Sequence, residues 1–415
     1  MKTFAKIILS VAVCSSLANA DRIQHQFEPP KDTSEFNGVE VDWDVDLTFT
    51  YQGLDQNYGS DIKSGLALPT ANLDLNAKIM SGFNVKLETM LSSHHHHETY
   101  VKGGYATMDN LDWISKDFAK GFMDKSTIKV GVNDLNYGDY HFRRTDNADV
   151  MRNPFINNMG VEGYMQAGFI ELTYRMPSIN TLFVAGVSNG EVNPDDVTAG
   201  NGKGAYSYYA KLAYDNQISD DTRFRISQSA FTVNNTTKNR LYMGDKAGNV
   251  PRKVFNAIDN TYNSPADRDS FGAVWNAMAG YNDLTSTMTN VFYKYKDTEF
   301  FGLVEYADGK QIYGASSVPL ANAIDMEMLH YSAEVVQRFG ADKYYVAARY
   351  EKAELEKDGL AQDAKLTQYQ IAAGMFLSKT AMMKIEYIKQ ERDHVHAGQD
   401  NVKFDGLMIS AALSF

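Results

Sequence analysis

Residues 39–52, Val-Glu-Val-Asp-Trp-Asp-Val-Asp-Leu-Thr-Phe-Thr-Tyr-Gln, decide how this chain folds. Every odd position is apolar and every even one polar. Side chains of a β-strand alternate between its two faces, so the apolar groups share one face and Glu40, Asp42, Asp44 and Asp46 occupy the other. A half-buried strand of a soluble protein alternates too, but an ordinary strand has ~5–6 residues. This one runs for 14, beyond the ~9–11 that cross a bilayer at a tilt.

The pattern recurs along the chain. Leu73, Leu75, Ala77 and Ile79 alternate with polar residues, and a Ser81-Gly82 turn leads to Phe83, Val85, Leu87 and Leu91. Later runs are Leu329 to Val335, Tyr344 to Tyr350, Tyr369 to Leu377, Met383 to Tyr387 and finally Leu407, Ile409, Ala411, Leu413 and Phe415. Composition agrees: 25 Tyr and 22 Phe stand against 9 Pro in 415 residues. Mean hydropathy is −0.39, and no stretch after residue 20 reaches the ~20 apolar residues of a spanning helix. The formal charge of −12, without a basic stripe, excludes a nucleic-acid binder.

Residues 1–20 have the layout of a secretory signal: Lys2 and Lys6, an apolar core from Ile7 to Cys14, and Ala18-Asn19-Ala20 as cleavage site. Val13 ahead of Cys14 disfavours a lipoprotein signal. Cleavage after Ala20 removes two lysines and no acid, taking the charge from −12 to −14, and removes the only cysteine. The exported product then has neither a disulfide nor a thiolate nucleophile. Residues 21–38, with Pro29-Pro30, read as an extended periplasmic lead-in, and 39–415 as the folded domain.

An exported chain that ends on an alternating strand with a terminal Phe resembles the Gram-negative outer-membrane β-barrels, whose last strand is the signal read by the barrel assembly machinery. The resemblance implies an all-β, transmembrane antiparallel barrel in the cell outer membrane, among phospholipid and lipopolysaccharide. Lipid requires apolar groups outside while a wet lumen tolerates acids inside. Closure is required because an open edge would leave backbone groups unsatisfied in lipid.

Strands are expected at 39–52, 71–80, 83–92, 98–108, 126–135, 164–176, 181–188, 205–215, 222–233, 287–296, 299–306, 327–337, 343–352, 366–377, 381–390 and 405–415. Segment 271–280 would make a seventeenth. Bacterial barrels have even strand numbers, and Phe271, Val274, Trp275 and Met278 have helical spacing. The expectation is therefore sixteen strands, with eighteen the alternative, and a long fifth loop holding a short helix. Long loops at 53–70, 136–163, 189–204, 307–326, 353–365 and 391–404 face outward. The long 109–125 turn, on the periplasmic side, is expected to be partly helical.

Barrels of ~16–18 strands leave an aqueous channel. Segments 128–147 (IKVGVNDLNYGDYHFRRTDN) and 152–158 (RNPFINN) are similar to a stretch of the phosphate-selective porin superfamily. The resemblance implies an inward-folded third loop that narrows the pore, with Asp139, Arg143, Arg144, Asp146, Asp149 and Arg152 as the constriction charges. Opposed charges there would order water and favour small polar solutes. The alternative is an exposed loop whose charges pair with one another. Phosphate selectivity does not carry over, because those channels line their path with Arg and Lys whereas Glu40, Asp42, Asp44 and Asp46 face this lumen. The expected function is passive diffusion of small hydrophilic solutes or ions, cations or neutral molecules over anions, in a homotrimer by analogy.

Two histidine clusters are candidate metal ligands in extracellular loops. One is the run His94, His95, His96 and His97; the other is the pair His394 and His396 beside Glu391 and Asp393. Without the fixed spacing of a structured site, they are equally polar loop tips. No nucleophile elbow, metalloprotease helix or phosphate loop occurs, so neither enzymatic activity nor a cofactor is expected. The rivals to a channel are a plugged or binding barrel, a receptor or adhesin closed by the fifth loop, and behind it an outer-membrane enzyme.

Overall fold

The computed structural model describes residues 27–91, 99–145, 150–190, 205–236, 240–244, 250–251, 253–255, 273–278, 281–313, 319–395 and 400–415. Sixteen antiparallel strands close into one barrel. They are β1 (Glu40–Gln56), β2 (Gly65–Met80), β3 (Phe83–Leu91), β4 (Thr99–Met108), β5 (Ser126–Asp134), β6 (Gln166–Met176), β7 (Thr181–Ser188) and β8 (Ser207–Ser219). They continue as β9 (Thr222–Val233), β10 (Asp283–Tyr295), β11 (Thr298–Tyr313), β12 (Pro319–Phe339), β13 (Tyr344–Lys357), β14 (Ala364–Phe376), β15 (Ala381–Asp393) and β16 (Val402–Ser414).

Each strand pairs with its chain neighbours, and β1 closes the sheet on β16 in a register running from Asp46 opposite Ser414 to Gln56 opposite Phe404. Val45 and Phe415 extend it by exchanging two backbone hydrogen bonds of 2.7 and 3.0 Å. Closure leaves no unpaired edge facing lipid.

Parity is kept around the wall. In β1, Val41, Trp43, Phe49 and Tyr51 are exposed on the outer face while Asp46, Thr48 and Thr50 are buried toward the lumen. In β12, Leu329 and Val335 are exposed and His330, Ser332 and Glu334 are buried. The exposed outer face is the lipid-facing band, and the low mean hydropathy follows because the other half of each strand is polar.

Three expectations need correction. Residues 273–278 form turns with no helix: Trp275 and Met278 pack against the third loop, Val274 is buried beside Gly244 of the fifth loop, and Phe271 lies outside the described residues. Strands β11 and β12 pair from Thr298–Gln337 out to Tyr313–Pro319, so most of the long loop expected at 307–326 is strand. The strand β2 likewise starts at Gly65, shortening the first loop. These rims run above the membrane band, where alternation is no longer demanded. The 109–125 turn does contain a short helix, α1 (Lys120–Met123).

Candidate functional site: the barrel lumen

Three of the described segments enter the barrel. The third loop, between β5 and β6, packs inside the barrel: Tyr137, Asp139, Tyr140, Arg143, Arg144, Val150, Phe155 and Val161 are all buried. It has no regular ladder, and every buried backbone group needs a partner. Wall side chains supply them. Lys384 on β15 donates to the carbonyls of Val150 (2.7 Å), Asn153 (2.7 Å) and Phe155 (3.2 Å). Two residues on, Glu386 accepts from the Ile156 and Asn157 amides and from the Asn157 side chain at 2.6 Å. Glu351 on β13 accepts the Gly160 and Val161 amides, each at 2.8 Å.

The expected constriction charges divide. Asp139 receives a two-pronged bond from Arg225 on β9 (2.8 Å each) and one from Lys211 on β8 (3.0 Å). Arg143 pairs with Glu334 on β12, which also binds Arg349 at 2.9 Å, and its guanidinium lies over the Phe301 ring. Arg144 makes a fork to Glu162 within the loop, at 2.8 and 3.3 Å. All three are at most 1% exposed, so they fasten the loop and do not border open water. Arg152, in contrast, lines the smaller of the cavities described below. Asp146 and Asp149 lie outside the described residues. Burial would raise the Asp139 carboxyl, but the Arg225 and Lys211 charges override it and hold the group well below the carboxylate range.

The fifth loop, between β9 and β10, packs on the third from the outer side. Tyr242, Trp275, Met278 and Tyr281 share a core with Leu135, Tyr137, Val161 and Met165, and the Trp275 amide donates to the Gly160 carbonyl at 2.6 Å. Tyr137 (3.0 Å) and Tyr242 (2.6 Å) donate to one oxygen of Glu305. The other oxygen of Glu305 meets His330, whose far nitrogen meets Glu351, both at 3.1 Å. A histidine held between two carboxylates ties both loops to β11–β13.

Residues 27–38 carry neither strand nor helix, and from Phe27 they do not stop at the periplasmic rim. Phe27 is buried between Phe142 and Phe292, and Glu28 bonds to Lys211 (3.1 Å) and Arg225 (2.9 Å). Those charges override burial and keep Glu28 below the usual carboxylate range. Lys31 is bound by the carbonyls of Asp109 (2.7 Å), Met123 and Ser126, and Arg175 reaches the Pro29 carbonyl at 2.6 Å. Composition gave no sign of this strap; the one sequence signal is an apolar–acidic pair, Phe27-Glu28, inside a polar stretch.

Among the described residues, the loop side chains and backbone groups inside the barrel bond to the wall at β8–β15. Under β1–β6, two adjoining cavities of about 440 and 290 Å³ remain, sharing Pro29, Lys86, Tyr105, Thr107, Thr127 and Arg175. Glu40 and Asp42 line the larger. Asp44 lies beside it, bonded to Asn76, and Asp46 is buried deeper in the wall. His141 and Arg152 of the third loop border the smaller one. Eight carboxylates and five Lys or Arg side chains line the two.

Among the described residues no cluster of three or more His, Cys, Asp or Glu could hold a metal. His394 bonds to Gln362 (2.8 Å) and Asp400 (3.1 Å), so it serves the loop around it. The other candidate ligands, His94, His95, His96, His97 and His396, lie outside the described residues.

This architecture defines a class: a closed sixteen-stranded barrel with a lipid band and inward loops. Comparison with solved structures places it. The outer-membrane channel DcaP of Acinetobacter baumannii aligns with 92% of this chain and 99% of its own at TM-score 0.55 and 13% identity. The anion-selective porin of Comamonas acidovorans aligns over 91% and 100% at 0.53 and 12%. The outer membrane protein OmpT of Vibrio cholerae aligns over 92% and 99% at 0.52 and 11%. The chain thus has the porin fold. The sequence matches no family model and no curated protein.

Proposed function

We propose that the protein is a passive diffusion channel for small hydrophilic solutes, with cations or neutral molecules favoured over anions. The observation that carries this is the pair of adjoining cavities under β1–β6, bounded by Arg152 and His141 on one side and by the strap on the other. Their lining carries eight carboxylates against five Lys or Arg side chains, which raises local cation concentration. The constriction is composite: the third loop supplies one side and residues 27–34 another. Neither a resident cofactor nor catalysis is part of this reading, and assembly as a trimer is an expectation by analogy, one structural neighbour being described as a trimer form.

A second reading is a closed or binding barrel, favoured by the three segments inside the lumen. Proteoliposome swelling separates them. A channel admits arabinose quickly and excludes sugars larger than a disaccharide; a closed barrel leaves the arabinose rate at that of protein-free liposomes.

A further inference from the structure

The 109–125 turn is far longer than the other periplasmic connections, and it is firmly built. The Asp109 amide donates to the Gly82 carbonyl at 2.7 Å, and the Asn110 side chain donates to Ser81 at 2.9 Å. Lys31 clamps it from the lumen side through the Asp109 and Met123 carbonyls. Asp112 accepts the Asp117 amide at 3.0 Å, and Asp124 accepts from Lys120 at 2.9 Å. Asp117 and Ala119 adopt left-handed φ of 58° and 52°, a conformation disfavoured for a residue with a Cβ. The turn is thus a specified shape.

That shape leaves large apolar groups uncovered. Trp113 is 54% exposed, Ile114 51%, Phe118 45% and Phe122 46%. Phe122 stacks on Tyr174 with ring centroids 5.9 Å apart and planes 25° from parallel. Tyr174 has the parity of Ile170, the exposed outer-face residue of β6, while Glu171 between them is buried in the lumen. The turn's apolar face is therefore continuous with the lipid-facing wall. Lys116, Lys120 and Lys125 are exposed beside it. Aromatic rings at headgroup depth flanked by lysines are the composition of a membrane-interface anchor.

We propose that residues 111–122 form a foot that lies in the periplasmic leaflet, with Trp113, Ile114, Phe118 and Phe122 at the acyl–headgroup boundary and the lysines on lipid phosphates. It sets the depth of the barrel beside β4–β6 and is independent of what passes through the lumen. The occupant is phospholipid because the surface adjoining Phe122 is already lipid-facing.

The test is depth-resolved quenching of Trp113 in the full barrel, reconstituted in phosphatidylethanolamine–phosphatidylglycerol vesicles. The Trp113 signal is the difference between the parent and Trp113→Phe, so Trp43 and Trp275 remain in place. Brominated lipid labelled near the headgroup is expected to quench this signal at least twofold, and aqueous acrylamide to quench it little. Quenching by acrylamide alone would mean a turn standing in water. Quenching by neither would mean a face covered by a second copy or the barrel itself. Either result overturns the proposal.

Discussion

Asp139 shows what a single residue does in this lumen. Its carboxylate is the shared partner of Arg225 and Lys211, and both cations are at most 1% exposed. Removing one member of a buried, hydrogen-bonded pair costs about 3–5 kcal/mol when its partner is left charged and dry; here Glu28 still faces both cations. Asp139→Ala is therefore expected to lower resistance to heat or denaturant by less than that, read from loss of the compact band on semi-native gels, and Asp139→Ala with Glu28→Ala by the full order. A second residue sets a pH response. Burial first, then the Lys211 charge, pushes the His141 imidazole down to about 3, while an unfolded histidine titrates near 6.5. Between those values the unfolded chain binds the extra proton, so stability falls as pH drops from about 6.5 toward 3. The Asp139 and Glu28 carboxyls, held low, keep their contribution until pH falls below the ordinary carboxylate range. His141→Gln should flatten the fall in melting temperature between pH 6.5 and 5; an unchanged slope would contradict this role. Asp139, Arg143 and Arg144 were legible as a charge cluster. The partners of Asp139 and Arg143 were not, because Arg225, Lys211 and Glu334 lie far away in sequence and are marked only by lumen-side parity, whereas Glu162, the partner of Arg144, lies in the same loop.

At the scale of elements, the strands were legible because lipid on one side and water on the other impose a period of two on every crossing. Segments β7 and β9 begin and end where alternation does. The inserted segments were harder to read. Loop 273–278 places Trp275 and Met278 against the third loop, without the local hydrogen bonds of a helix. The strap at 27–34 gains its place from partners on β5, β6, β8 and β9, none of which a local window contains. Two outcomes are expected here. Deleting residues 27–34, or replacing Phe27 and Glu28 together by Ala, should raise single-channel conductance about twofold or more, because the strap borders both cavities; equal conductance would remove it from the constriction. Glu386→Ala should uncouple the third loop at Ile156 and Asn157 and appear as added noise in the open-channel current, with the barrel still folded.

Across the whole molecule, closure and charge complete the account. The β1–β16 seam makes the terminal strand part of the wall, and Phe415, 63% exposed, continues its lipid-facing parity. Deleting Phe415 is expected to reduce the amount assembled in the outer membrane while leaving conductance per channel unchanged. The acid excess legible in the first strand falls on the open side of the lumen, where Glu40 and Asp42 line the larger cavity. Arg143 and Arg144 of the third loop are neutralised by carboxylates, and Arg152 is the loop cation at the cavity. The central claim is thus an open, acid-leaning path beside the inward loops. Planar-bilayer recording of the refolded mature barrel under a tenfold KCl gradient tests it most directly. The account predicts stable open steps with a reversal potential of the sign for K⁺ over Cl⁻. Absence of steps at every voltage, or a reversal potential of the opposite sign, would contradict it.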